Sequence, residues 1–76
     1  MDQFPRIRHD IGIMGGKACI RNTRVSVSML LERLSQGVTI NELLDDYPYI
    51  SSDDIMQALK YAAWAANANE STLIAI

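Results

Sequence analysis

Gly15-Gly16-Lys17 is the segment of this 76-residue chain whose residue types first suggest chemistry, because two glycines ahead of a cation can aim backbone amides and an ammonium at a phosphate. The spacing argues against a nucleotide loop. No strand pattern leads into it, the glycine interval is short, Lys17 is followed by Ala18 rather than Ser or Thr, and no helix pattern begins directly behind it. The two glycines therefore read as turn residues. Arg21 and Arg24 straddle Asn22-Thr23 and can either project together at phosphates or pair inside the fold with a carboxylate such as Asp10 or Asp46. Both alternatives stay open at this level. His9-Asp10 joins an imidazole to a carboxylate, but adjacent strand residues face opposite sides and no nucleophile accompanies them. Cys19 has no histidine near it in sequence except His9, and a metal needs three or four ligands that the pattern does not offer. No catalytic constellation emerges, so the chain reads as a non-enzyme without a cofactor.

The elements that hold these residues follow from periodicity. Residues 1–27 carry three of the four glycines and no sustained helical period, and Ile7-Arg8-His9 and Thr23 to Val27 read as short strands around a turn, with Asn22 suited to a positive-φ position. From there the pattern turns helical. Val27, Leu30, Leu31 and Leu34 repeat at i, i+3, i+4, i+7, with Ser26 or Ser28 as cap and Gly37 as stop, which predicts a helix over 28–36. Thr39-Ile40-Asn41-Glu42 has the form of a capping box, and Ile40, Leu43, Leu44 and Tyr47 make one apolar stripe that Pro48 ends. That second helix is about seven residues long. A third starts at a Ser51 or Ser52 cap, carries Asp53 and Asp54 in its first turn, buries Ile55, Leu59, Ala62 and Ala66, and runs to about Asn67. Ser71 to Ile76 form an apolar tail, read as a strand or a frayed end. The organisation is a single domain over 1–76: a hairpin region over 1–27, a three-helix core over 28–67 and a tail over 68–76.

A domain this short buries only about 60% of its unfolded surface, and one core of that size supplies roughly 3–5 kcal/mol, so added stability from a partner is expected. One cysteine makes no internal bridge, no leader pattern opens the chain, and no apolar run approaches the ~20 residues of a membrane span; a reducing cytoplasm is the expected compartment. Charge is segregated. Residues 1–34 hold six cations and three acids, whereas residues 35–76 hold one cation and six acids, an asymmetry that suits an anion on one half and a basic partner on the other.

Two helices joined by a tight Tyr-Pro-Tyr turn, with a third helix before them, outline a helix-turn-helix. Its third helix, however, opens Ser52-Asp53-Asp54, and two carboxylates there repel phosphates. Only Gln57 and Lys60 are suited to base edges, which disfavours direct major-groove reading and leaves phosphate contacts from Lys17, Arg21 or Arg24. The outer face of that helix presents Gln57, Lys60, Tyr61, Trp64 and Ala68. Trp64 either packs on the N-terminal hairpin of its own chain or, as the small size of the fold favours, meets another subunit or protein together with Tyr61 and the tail residues Leu73, Ile74 and Ile76.

Taken together, Gly15-Gly16-Lys17, Cys19-Ile20-Arg21, Thr23-Arg24-Val25, Val27, Leu30-Leu31, Leu34, Gly37, Glu42-Leu43-Leu44, Asp46-Tyr47-Pro48, Ile55, Ala58-Leu59 and Tyr61-Ala62 make the chain resemble the family catalogued as domain of unknown function 433, over roughly residues 5–63. The departures are Ala18 for a common Pro, Asn22 for a usual Gly and Ser26 for a usual Pro; Asn tolerates the left-handed turn that Gly would take. The resemblance implies a mainly α fold, a three-helix homeodomain-like helix-turn-helix core with a short N-terminal β-hairpin. It also implies the role of an antitoxin in a type II toxin–antitoxin pair, binding and neutralising a PIN-like ribonuclease toxin. On that reading the chain is a homodimer whose partner-binding residues are Asp45, Asp46, Asp53 and Asp54, as mimics of the toxin's RNA, with Tyr61 and Trp64 as apolar anchors. The alternative is a helix-turn-helix regulator on promoter DNA, with Lys17, Arg21 and Arg24 on phosphates and Gln57 or Lys60 on base edges.

Overall fold

The computed structural model describes residues 3–75, and side chains through Asn69. A two-stranded antiparallel sheet, β1 (Ile7–His9) and β2 (Ala18–Ile20), precedes three helices: α1 (Val27–Ser35), α2 (Ile40–Asp46) and α3 (Ser52–Ala75). The fold is mainly α with a short N-terminal hairpin, as the sequence predicts. The register sets Ile7 against Ile20, Arg8 against Cys19 and His9 against Ala18, so Ile7 and Ile20 turn together into the core.

The second strand differs from the expectation. Thr23 to Val27 is not a strand; β2 lies earlier, and only Ser26 bridges back to Cys19. The reason is Thr23, whose hydroxyl donates to the Ile20 carbonyl at 2.7 Å and accepts from the Val25 amide at 3.0 Å, folding 20–25 into a tight turn around a left-handed Asn22. The hairpin connection also contains a run of positive φ at Met14 (53°), Gly15 (66°) and Gly16 (89°). The conformation itself asks for glycine there, since open space surrounds the missing Cβ of Gly15.

Ser26 caps α1 by accepting from the Met29 amide at 3.1 Å. Its far end closes with Gly37 at φ 90°: the Gly37 amide donates to Leu34 and the Val38 amide reaches back to Arg33, which satisfies carbonyls the helix leaves open. The Thr39–Glu42 capping box of α2 forms in both directions. A second reciprocal cap starts α3, in which Ser51 Oγ accepts from the Asp54 amide and Asp54 Oδ2 accepts from the Ser51 amide.

The core joins Phe4, Ile7, Ile20, Val25, Val27, Leu30, Leu43, Ile50, Ile55 and Ala58, drawing on every element. Leu59 and Ala62 pack at its edge, whereas Ala66, expected inside, is exposed. The core ends about three turns into α3, at Ala62. The helix does not end with it: rather than stopping near Asn67, it continues to Ala75, so the expected strand or frayed tail is helical over 71–75. Ile76 and the side chains of Leu73 and Ile74 lie outside the described residues.

Candidate functional site

The sequence-predicted residues lie in two regions, the helices α2 and α3 and the N-terminal hairpin, and the segment from Phe4 to His9 links the hairpin to α3. Arg6, which the sequence reading passed over, joins this segment to α3. Its Nη1 donates to Asp54 Oδ1 at 2.9 Å, its amide donates to Gln57 Oε1, and its carbonyl accepts from the Arg21 amide at 2.7 Å. Asp54 is 9% exposed. Burial opposes its charge, but the Ser51 amide, the Arg6 guanidinium and the Ser51 hydroxyl outweigh that cost and hold its carboxyl below the ordinary value. Asp54 is therefore tied up within the fold and does not stand out as a surface charge. Gln57 is likewise turned toward the chain's own backbone, away from any base edge.

The acidic surface that remains consists of Asp45, Asp46 and Asp53, all exposed. Asp46 accepts from Arg33 Nη2 at 2.6 Å, tying α2 to α1, and Asp53 lies 4.0 Å from Arg6 with its side chain 81% exposed. Asp45 and Asp53 are thus the carboxylates of the former quartet best able to meet a partner.

On the outer face of α3, Tyr61 packs edge-on against Phe4 with ring centres 5.5 Å apart, and its hydroxyl lies 3.1 Å from His9 Nε2. Trp64 stacks obliquely on Phe4 at 5.8 Å and on Tyr61 at 5.9 Å, yet remains 46% exposed. Both accounts of this face therefore have a physical basis: the two rings cover the chain's own N-terminal segment, and half of the indole still faces outward.

The second region is the hairpin. Arg21 and Arg24 are exposed, and among the described residues neither forms an ion pair. Asp46 is engaged by Arg33, and Asp10 accepts from the Gly12 amide at 2.9 Å. The internal-carboxylate alternative thus falls away. Lys17 and Lys60 are exposed on different faces, Lys17 beside the hairpin and Lys60 in a shallow depression with Arg6 and Asp53. Arg8, also missed, lines a 360 Å³ cleft with Arg21, Asn22 and Thr23; the signal for it was strand alternation, which puts Arg8, Cys19 and Arg21 on one side of the hairpin.

His9 and Asp10 have separate partners, Tyr61 and Gly12, and make no pair. Cys19 is buried beneath the cleft, and burial raises its thiol above the ordinary value despite the nearby Lys17 charge. Among the described residues no group of three metal-ligating side chains gathers, and no helix is long and apolar enough to cross a membrane.

No curated protein matches the chain. Among solved structures it is similar to a DUF433 member protein from Anabaena variabilis ATCC 29413, known from a crystal structure at 2.00 Å: the two share 32% identity at a TM-score of 0.78, over 91% of this chain and 68% of that one. The family model described as protein of unknown function DUF433 matches residues 7–62, from the first strand through the covered turns of α3, and the chain belongs to that family.

Proposed function

We propose that this protein is a non-enzymatic binding module of the antitoxin type, a cytoplasmic dimer that docks on and neutralises a PIN-like ribonuclease toxin. The observation that carries this reading is the overrun of α3. The helix has 24 residues, but its last partly covered position among the described residues is Ala65, and positions 66–69 are exposed. Ten further residues extend about 15 Å beyond that point. A helix gains most of its stability from packing rather than propensity, so an overrun of this length is what a docking element requires. Trp64, half-exposed at the start of the overrun, supplies an anchor, and Asp45 and Asp53 supply charge complementary to a basic RNA groove.

Co-expression with the neighbouring reading frame, with a tag on one of the two proteins, tests this reading. Stoichiometric co-purification and loss of ribonuclease activity are expected, and a toxin-like neighbour that purifies alone would end the reading.

A regulator acting on promoter DNA is the second reading, favoured by Lys17, Arg21 and Arg24, which are exposed and, among the described residues, without an ion pair. Asp53 at the start of α3 and the internal bond of Gln57 weigh against base reading by that helix, which leaves phosphate contacts as its main source of affinity.

A further inference from the structure

The 360 Å³ cleft beside Arg8 and Arg21 shares three lining residues, Ile13, Asn22 and Thr23, with a more open hollow of 550 Å³ lined by Arg24 and Tyr49. The shared walls set the two depressions side by side, from the hairpin at Arg8 to Tyr49 in the α2–α3 turn, and together they form the candidate groove. Three guanidinium groups line it, and among the described residues none of them has an ion pair. Among the described residues that line it Asp10 is the one acid, at the Arg8 end, with Oδ1 already accepting from the Gly12 amide. At the opposite end Tyr49 is 65% exposed and held edge-on against Tyr47 with ring centres 6.3 Å apart.

We propose that this groove binds single-stranded nucleic acid, with Arg8, Arg21 and Arg24 following successive phosphates and Tyr49 stacking on a base. Guanidinium groups in a row match a phosphodiester backbone, since each presents paired N–H donors to phosphate oxygens. An exposed ring at the end of such a row completes the pattern of cationic track and stacking platform used by strand-binding proteins. The ring also selects against a duplex, whose bases are already stacked on one another. Turn geometry fixes the track: left-handed Asn22 and the Thr23 hydroxyl bonds set the direction in which Arg21 and Arg24 leave the backbone. The inference does not depend on the antitoxin reading; it shares Arg21 and Arg24 with the promoter reading and differs from it in the strandedness of the ligand and in its use of Arg8 and Tyr49.

Fluorescence anisotropy with the full chain and labelled 12-residue oligothymidylate, 12-residue oligouridylate and a 12-base-pair duplex, between 20 and 200 mM salt, tests it. At least one single strand binds more tightly than the duplex, with a log–log salt slope of about −2 for three phosphates. The two single-strand arms decide between DNA and RNA. Arg21→Ala with Arg24→Ala reduces the slope to about −0.7. Tyr49→Ala weakens binding by about 5- to 150-fold without changing the slope, and Tyr49→Phe restores it. Lys60→Ala, outside the groove, leaves binding unchanged, and circular dichroism verifies the fold of each variant. Absence of binding at 20 mM salt overturns the proposal, as does equal or tighter binding of the duplex. A loss that follows Lys60→Ala while the arginine variants are silent also overturns it, and transfers the binding to the helix-turn-helix.

Discussion

The Arg6 guanidinium meets the Asp54 carboxylate at 2.9 Å across 48 positions of sequence, and the same carboxylate caps the helix that carries it. One buried acid thus starts α3 and fastens the N-terminal segment to it. Because its folded pKa is lowered, Asp54 contributes stability that is fully present above the unfolded value of about 3.9 and is lost as pH falls through the folded value. Chemical denaturation of the wild type and Asp54→Asn between pH 2 and 7 is expected to show a loss of about 1–2 kcal/mol at pH 7. The two curves converge below the folded pKa; a constant gap at all pH values would contradict the assignment.

Gly37 closes α1 at φ 90°, a conformation that strains any residue with a Cβ even though open space surrounds it. Gly37→Ala is expected to cost about 1 kcal/mol, read as a lower denaturant midpoint at unchanged slope. Gly12→Ala, where φ is not left-handed, serves as the comparison: its Cβ meets only the Asp10 Oδ1 atom at 3.3 Å, which a small side-chain shift relieves, and it costs less.

The Cys19 thiol is buried, and its pKa is raised mainly by that burial. Ellman's reagent at pH 8 should therefore react slowly with the native protein and rapidly in denaturant. Fast native labelling would mean that the hairpin opens readily.

Ending the chain after Ala65 removes helix but no buried side chain among the described residues. Circular dichroism should lose the signal of about ten helical residues while the thermal midpoint falls by no more than a few degrees. Capture of the toxin-like neighbour should be abolished. A shortened chain that still captures it would shift the docking surface to Asp45 and Asp53.

Local chemistry made the fold readable in advance. Ser26, Thr39, Gly37 and Pro48 act within a few residues of themselves, so the starts of the helices and the ends of α1 and α2 are legible from spacing alone. The misplaced strand has a local cause that alternation concealed, since Thr23 to Val27 has strand-forming residues but the Thr23 hydroxyl bonds fold them into a turn. Arg6 and Tyr49 escaped notice because their roles depend on distant elements: nothing around position 6 signals a carboxylate at position 54, and nothing around position 49 signals an arginine at position 24. The overrun of α3 was hidden for the opposite reason. Apolar periodicity marks where a helix is covered, and it fades once the core ends although the backbone keeps its course.

The attachment of Phe4 and Arg6 to α3 also governs when this protein can fold during its own synthesis. A nascent chain that has displayed the hairpin, α1 and α2 holds its first strand by β2 alone and still lacks Asp54, Gln57 and Tyr61, which fasten that strand to the helices. The attachment to α3 forms only once the start of that helix is made, because it joins groups some fifty residues apart. Until then Phe4 lacks the Tyr61 and Trp64 rings that cover it, so full burial of the N-terminal segment depends on completion of the last helix.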